Sequence, residues 1–236
     1  MFWTWLVVRL EPSAAAAPWR TVLAVGLAYL AADLVGGLVH WAVDTWGSPE
    51  VPILGPAMIG PFREHHRDPQ DITRHDFVET NGNSALIALP LLGIALWLLP
   101  GSNGGGSFPV AAFLAALALW VVLTNQFHKW AHLPKPPRVV ALLQRLRLVL
   151  PPDHHARHHA RRVESHWCIT TGIMNGLLDG SRLLRVLEAS IARWTGAVPW
   201  RGEPVAPRST ARGAKVLPFT AKAANRAARP AELLAP

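Results

Sequence analysis

The chain has 236 residues and a formal charge of +8; half of it is hydrophobic and only 16% is charged. A water-soluble domain usually carries about a quarter charged residues, so this balance argues against one and makes an anionic lipid surface, not nucleic acid, the partner of the excess positive charge. The single cysteine, Cys168, excludes an intrachain disulfide as well as thiolate-rich zinc or iron–sulfur sites.

Residues 1–20 read as an N-terminal interfacial segment. Met1–Leu10 is apolar, Arg9 is its only charge, and no small-residue cleavage site follows, so a signal peptide is not expected. Three apolar runs are predicted to span a bilayer, at Thr21–Val43, Ser84–Leu99 and Phe108–Thr124. A helix of 17 residues rises about 26 Å, so the last two are short for the task. Asp33 interrupts the first run; a carboxylate is costly in lipid and is expected to face protein, for a structural hydrogen bond or for function. The fold class expected is an all-α integral membrane protein, with about three transmembrane helices and interfacial helices beside them. The 11 tryptophans against one tyrosine suit membrane-interface belts.

The uncharged loop Gly101–Ser107 joins the second and third runs. Arg63, Arg67 and Arg74 lie in the Asp44–Asn83 loop, and Lys129, Lys135, Arg138, Arg145, Arg147, Arg157, Arg161 and Arg162 follow the third run. The positive-inside rule then puts these basic stretches in the cytoplasm and the glycine loop outside. Val139–Leu150 reads as an amphipathic interfacial helix with Arg145 and Arg147 on its polar side, and Val186–Trp194 as a short surface helix. Lys129 is expected to snorkel to headgroups. Arg63 and Arg67 suit either a lipid phosphate or a solvated loop, and Asn81 and Asn175 are hydrogen-bond donors or caps. Residues 21–200 form the membrane domain. Residues 201–236 hold seven Lys/Arg against two Asp/Glu among Ala and Pro, which predicts a basic disordered tail.

All eleven histidines fall between His40 and His166, on the cytoplasmic side of this topology. His128 and His132 are four apart, as are His154 and His158, and His40 and Asp44; each pair shares a helix face. His155, His158 and His159 form an i, i+3, i+4 set expected on one face. Imidazoles on adjacent helical turns make half of a metal site. Eight or nine exceed one zinc ion's four ligands and suit two ions. Imidazole suits iron, zinc, copper and nickel; the Glu-x-x-His pattern of carboxylate-rich di-iron bundles is missing, and a His-dominated di-iron cap of the kind known in integral membrane desaturases and hydroxylases is the alternative. His75 and His154 are weaker candidates, and His166 is expected to lie outside the ligand set.

Six stretches carry a resemblance: Gly37–Ser48 (GLVHWAVDTWGS), Pro61–Pro69 (PFREHHRDP), Ile72–Gly82 (ITRHDFVETNG), Asn125–His132 (NQFHKWAH), His154–His159 (HHARHH) and Cys168–Gly172 (CITTG). In order and content they resemble the plasmanylethanolamine desaturase family, also called the Kua or lipid desaturase family, which includes bacterial regulators of light-induced carotenoid synthesis. The resemblance covers roughly residues 30 to 200. It implies O2-dependent formation of a vinyl ether from the alkyl ether of a glycerophospholipid, with two iron ions, O2 as co-substrate, and an external electron donor of the cytochrome b5 or ferredoxin kind. It implies His40, His65, His66, His128, His132, His155, His158 and His159 as iron ligands, with His75 and Asp44 as candidates. The stretch Ala160–Trp167 departs from the animal members, which carry a further His where this chain has Val163. In a bacterium the protein is expected in the inner membrane with its site on the cytoplasmic face. A membrane hydroxylase on the same scaffold is one alternative. A metal-dependent membrane hydrolase is another, and Glu64 beside His65 is its only obvious general base.

Overall fold

A computed structural model describes residues 18–99, 107–160 and 164–201. The N-terminal segment, most of the glycine loop, Val163 and nearly all of the basic tail lie outside the described residues. Among the described residues there is no strand. The chain runs through α1 (Pro18–Thr45), a π-helical turn (Gly55–Ile59) continuous with α2 (Gly60–Arg67), a 3-10 turn (Asp71–Thr73), α3 (Phe77–Trp97) and α4 (Phe108–His132). Four shorter helices follow: α5 (Arg138–Arg145), α6 (Pro152–Ala160), α7 (Asn175–Gly180) and α8 (Leu183–Thr195).

The helices α1, α3 and α4 are long and apolar enough to cross a membrane. At about 1.5 Å per residue they reach roughly 42, 32 and 38 Å, against a hydrocarbon core of about 30 Å. Two of them exceed the apolar runs at the site end. α3 starts at Phe77 rather than Ser84 because Asp76 and Glu79 form a capping box: Glu79 N donates to Asp76 Oδ1 (2.8 Å) and Asp76 N to Glu79 Oε2 (2.9 Å). α4 continues past Thr124 to His132.

α4 packs against both α1 and α3. The buried seams are made of small residues: Ala24, Ala28 and Ala32 on α1, Ala88 and Ala95 on α3, and Ala111, Ala115 and Ala118 on α4. The large side chains Val22, Leu23, Leu27, Leu86, Ile87 and Leu89 point outward. Lipid tails are as apolar as leucine, so in a bilayer the close approach of small residues, not burial of large ones, favours helix association.

After α6 the chain lies along α1 from Trp167 to Met174. Gly37 permits this, since a Cβ there would overlap the Cys168 sulfur and lie 3.2 Å from its Cα. Asp33 settles into a structural role. Its Oδ1 accepts from the backbone N–H groups of Thr170 (3.0 Å), Thr171 (2.8 Å) and Gly172 (3.1 Å), and its Oδ2 from Thr171 Oγ1 (2.9 Å) and Met174 N (3.0 Å). A carboxylate inside the bundle is thus fully used, and it fastens an irregular loop to a membrane helix.

Three expectations need correction. The amphipathic helix stops at Arg145; Arg147 has φ 56° and the chain turns there, so Val149 and Leu150 are buried and Leu150 N donates to Thr170 O (2.9 Å). Lys129 does not reach toward headgroups but donates to the His75 carbonyl. Arg63 is buried; its guanidinium packs on the Trp200 ring (3.9 Å) and donates to Gly47 O (3.2 Å).

Candidate metal centre

The site sits where the ends of α1 and α4 meet α2 and α6. Two groups of ligand atoms form there, each with every ligand atom within 4.8 Å of the others. The first consists of His65, His128, His132, His155 and His159. The second consists of His40, Asp44, His66 and His158. They adjoin: the His155 and His158 rings are 5.6 Å apart, those of His40 and His128 5.9 Å.

Helical geometry explains the division. Successive residues on a helix point about 100° apart, so His65 and His66 on α2 enter different groups, as do His158 and His159 on α6. Residues four apart stay together: His128 with His132, His155 with His159, and His40 with Asp44. The i, i+3, i+4 set on α6 is therefore divided between the two groups rather than presented on one face to a single group.

Hydrogen bonds fix which nitrogen each ring presents. His40 Nδ1 lies 2.9 Å from Trp167 O, and His158 Nδ1 lies 2.9 Å from Ser165 O. A carbonyl only accepts, so both Nδ1 atoms carry the proton and, in the neutral rings, both Nε2 atoms present lone pairs. These Nε2 atoms lie 3.0 and 3.3 Å from Asp44 Oδ2, while His66 Nε2 lies 2.9 Å from it. In the first group the Nε2 atoms of His128 and His132 (3.2 Å), His132 and His155 (2.9 Å), and His155 and His159 (3.0 Å) face one another.

A single proton per ring cannot satisfy such a ring of nitrogens. Both nitrogens of His65, Nε2 of His40 and of His158, and Oδ1 of Asp44 are buried without a hydrogen-bond partner. Converging lone pairs that protein donors leave unsatisfied are what a cation requires. Burial and the neighbouring imidazoles hold His65, His155 and His159 well below the ordinary histidine value, so these rings are neutral and ready to ligate. Asp44 is the only carboxylate in either group. Two divalent ions would therefore keep most of their charge, a setting that favours binding of further anionic or polarisable ligands.

Of the proposed ligands, His75 stands outside both groups: its Nε2 is 3.3 Å from Asp71 Oδ2. His154 lies against Gly172 and bonds the Asn175 amide (3.0 Å), with the His166 ring 4.9 Å away. His166 Nδ1 is 2.8 Å from Ser165 Oγ and 3.6 Å from Asp179 Oδ2, also outside both groups. Asn175 acts as a loop clamp, accepting from Cys168 N (2.8 Å) and donating to Cys168 O. Asn81 bonds within α3 to Phe77 O (2.8 Å) and across to Gln126.

Nothing in the sequence pattern pointed to Trp167, Ser165 or Trp200 at the site. The first two act through backbone carbonyls. Trp200 donates through its backbone to Thr45 O (2.8 Å) and sets its ring 6.0 Å from that of His66.

Residues 29–201 match the lipid desaturase domain. The chain belongs to the lipid desaturase domain family. It is 53% identical over 194 residues to the plasmanylethanolamine desaturase of Myxococcus xanthus, an alignment covering 82% of this chain and 68% of that protein. It is 44% identical over 182 residues to plasmanylethanolamine desaturase 1 of Mus musculus, covering 75% and 67%. Similarity extends to the chloroplastic fatty acid desaturase 4 of Arabidopsis thaliana, 35% identical over 163 residues, 68% of this chain and 48% of that one. No solved structure matches the chain. For a lipid desaturase the placement is chemically apt: the buried ligand groups lie at one end of the helices long enough to cross a membrane.

Proposed function

We propose that this lipid desaturase converts the alkyl ether of a plasmanylethanolamine to a vinyl ether, using O2 and two iron ions. One ion is assigned to His65, His128, His132, His155 and His159, the other to His40, Asp44, His66 and His158. The observation that carries the reading is the pair of adjoining, proton-poor ligand groups, in a chain whose bacterial and mouse relatives are named for this substrate. In the overall reaction the CH2–CH2 unit next to the ether oxygen loses two hydrogens. O2 takes these with two electrons and two protons from outside, and leaves as two waters.

Bound iron would supply the reduction of O2. The chain's own residues do the rest. The Trp167 and Ser165 carbonyls hold His40 and His158 in the tautomer that ligates. Asp44 supplies the one negative charge. Burial of His40, Asp44, His128, His155 and His158 excludes bulk water, which protects a strongly oxidising site from side reactions. The two electrons come from an external donor of the cytochrome b5 or ferredoxin kind. Arg67, Arg74, Lys135, Arg138, Arg145 and Arg157 all lie on connections and short helices at the site end, which supports assigning that end to the cytoplasmic face of the bilayer, the inner membrane in a bacterium.

The test is lipid analysis of cells that express the protein and are supplied with an alkyl-ether ethanolamine phospholipid, with and without O2. Acid-labile vinyl ethers that need O2 are the expected product. A hydroxylated ether would assign a hydroxylase instead. No product from an abundant, iron-loaded protein with a competent reductant would overturn the proposal.

A further inference from the structure

A cavity of about 440 Å³ lies beside the metal centre, between the Glu164–Trp167 segment and α8. Trp167 forms one wall and separates it from the ligands: its ring is 5.0 Å from that of His158 and 5.9 Å from that of His40. Glu164, Asp179, Arg182 and Arg185 also line it. Of the other charged lining groups, Glu188 and Arg201 pair with each other, and Glu188 also accepts from Trp41 Nε1 (2.7 Å). The Arg182 and Arg185 guanidiniums and the Glu164 carboxylate have no ion pair among the described residues. Asp179 Oδ2 accepts from His166 N (3.2 Å) and lies 3.6 Å from His166 Nδ1.

A second, apolar groove of about 400 Å³ adjoins it, since Leu178 lines both. Its walls include Leu34 and Leu38 of the membrane helix α1 and Val186 of α8. A charged chamber and an apolar groove thus lie side by side, with Leu178 in the wall of each.

We infer that the charged cavity seats the phosphoethanolamine headgroup of the lipid, Arg182 and Arg185 taking the phosphate and Glu164 and Asp179 the primary ammonium, while the groove takes a hydrocarbon chain. Guanidinium forks match phosphate oxygens, and a primary ammonium has three N–H donors for carboxylates where a trimethylammonium has none. Six bonds separate the phosphorus from the ether-linked carbon, a reach of roughly 7 Å. That reach suits a headgroup on one side of Trp167 and a reacting carbon on the other. The inference rests on the reading that the substrate is an ethanolamine phospholipid.

Binding and turnover test it separately, in full-length protein in lipid nanodiscs. Isothermal titration with glycerophosphoethanolamine, glycerophosphocholine and inorganic phosphate should rank them in that order. The double variant R182Q/R185Q should weaken glycerophosphoethanolamine binding about tenfold, and raise KM for plasmanylethanolamine about as much while kcat stays within about twofold. Glu164→Gln should narrow the preference for ethanolamine over choline. Unchanged binding and KM in the double variant would overturn the assignment, and so would inorganic phosphate binding as tightly as the glycerophosphodiester. If the protein makes no vinyl ether, the functional reading fails, and the titration alone still decides the cavity.

Discussion

Asp33→Asn isolates what the buried carboxylate contributes. The substitution keeps size and shape, and Oδ1 keeps its bonds to the N–H groups of Thr170, Thr171 and Gly172. An NH2 group replaces Oδ2, which accepted from Thr171 Oγ1 and Met174 N. The threonine hydroxyl can turn to accept, but the Met174 N–H cannot and is left facing another donor. One orphaned buried donor costs about 1–3 kcal/mol, and the surviving bonds lose charge assistance, so about 3 kcal/mol in total is expected. Equilibrium unfolding in mixed detergent micelles, followed by tryptophan fluorescence, measures it. Iron content should fall too, because the loop that Asp33 fastens begins at Trp167, whose carbonyl orients His40. A variant within about 0.5 kcal/mol of wild type would refute this account of Asp33.

Iron-replete protein should hold close to two iron atoms per chain by elemental analysis; one ion per chain under zinc-poor growth would contradict the two-centre assignment. His128→Ala, His132→Ala, His155→Ala and His159→Ala should each abolish desaturation at normal membrane abundance, whereas His75→Ala and His166→Ala should keep much of it; product yield normalised to abundance tells the two sets apart. Gly37→Ala should destabilise the fold by about 1–3 kcal/mol because its methyl meets the Cys168 backbone, while Gly26→Ala, where nothing lies within 4 Å, should be neutral or mildly stabilising in the same unfolding assay.

The sequence carried the bundle and the ligand types well, and the helix ends and the partition of ligands poorly. Hydropathy finds only the part of a helix that touches lipid. The polar turns Phe77–Asn83 and Asn125–His132 extend α3 and α4 beyond the apolar runs and reach the site. Spacing of four predicted that His128 and His132 fall in one group, as they do, because that relation is local. It was silent on which centre His65 or His158 would join, since that depends on where α2 and α6 dock. The tautomer of His40 is set by a carbonyl at Trp167, far along the chain. Every residue has a carbonyl, so residue identity gives no hint of such a contact. His75 looked like its neighbours in sequence, yet it falls just before α3, on the far side of the turn from α2.

The adjacent histidines of α2 and of α6 have a mechanical consequence. Each short helix contributes a ligand to both groups, so the separation between two ions held there would be set by the helix more than by the packing of loops. A tilt of either helix would be felt at both groups at once, and an ion seated in one would restrain the helices that shape the other. The metal centre is therefore a single clamp with two jaws, and a lipid pressing on α6 or α2 would shift both jaws together.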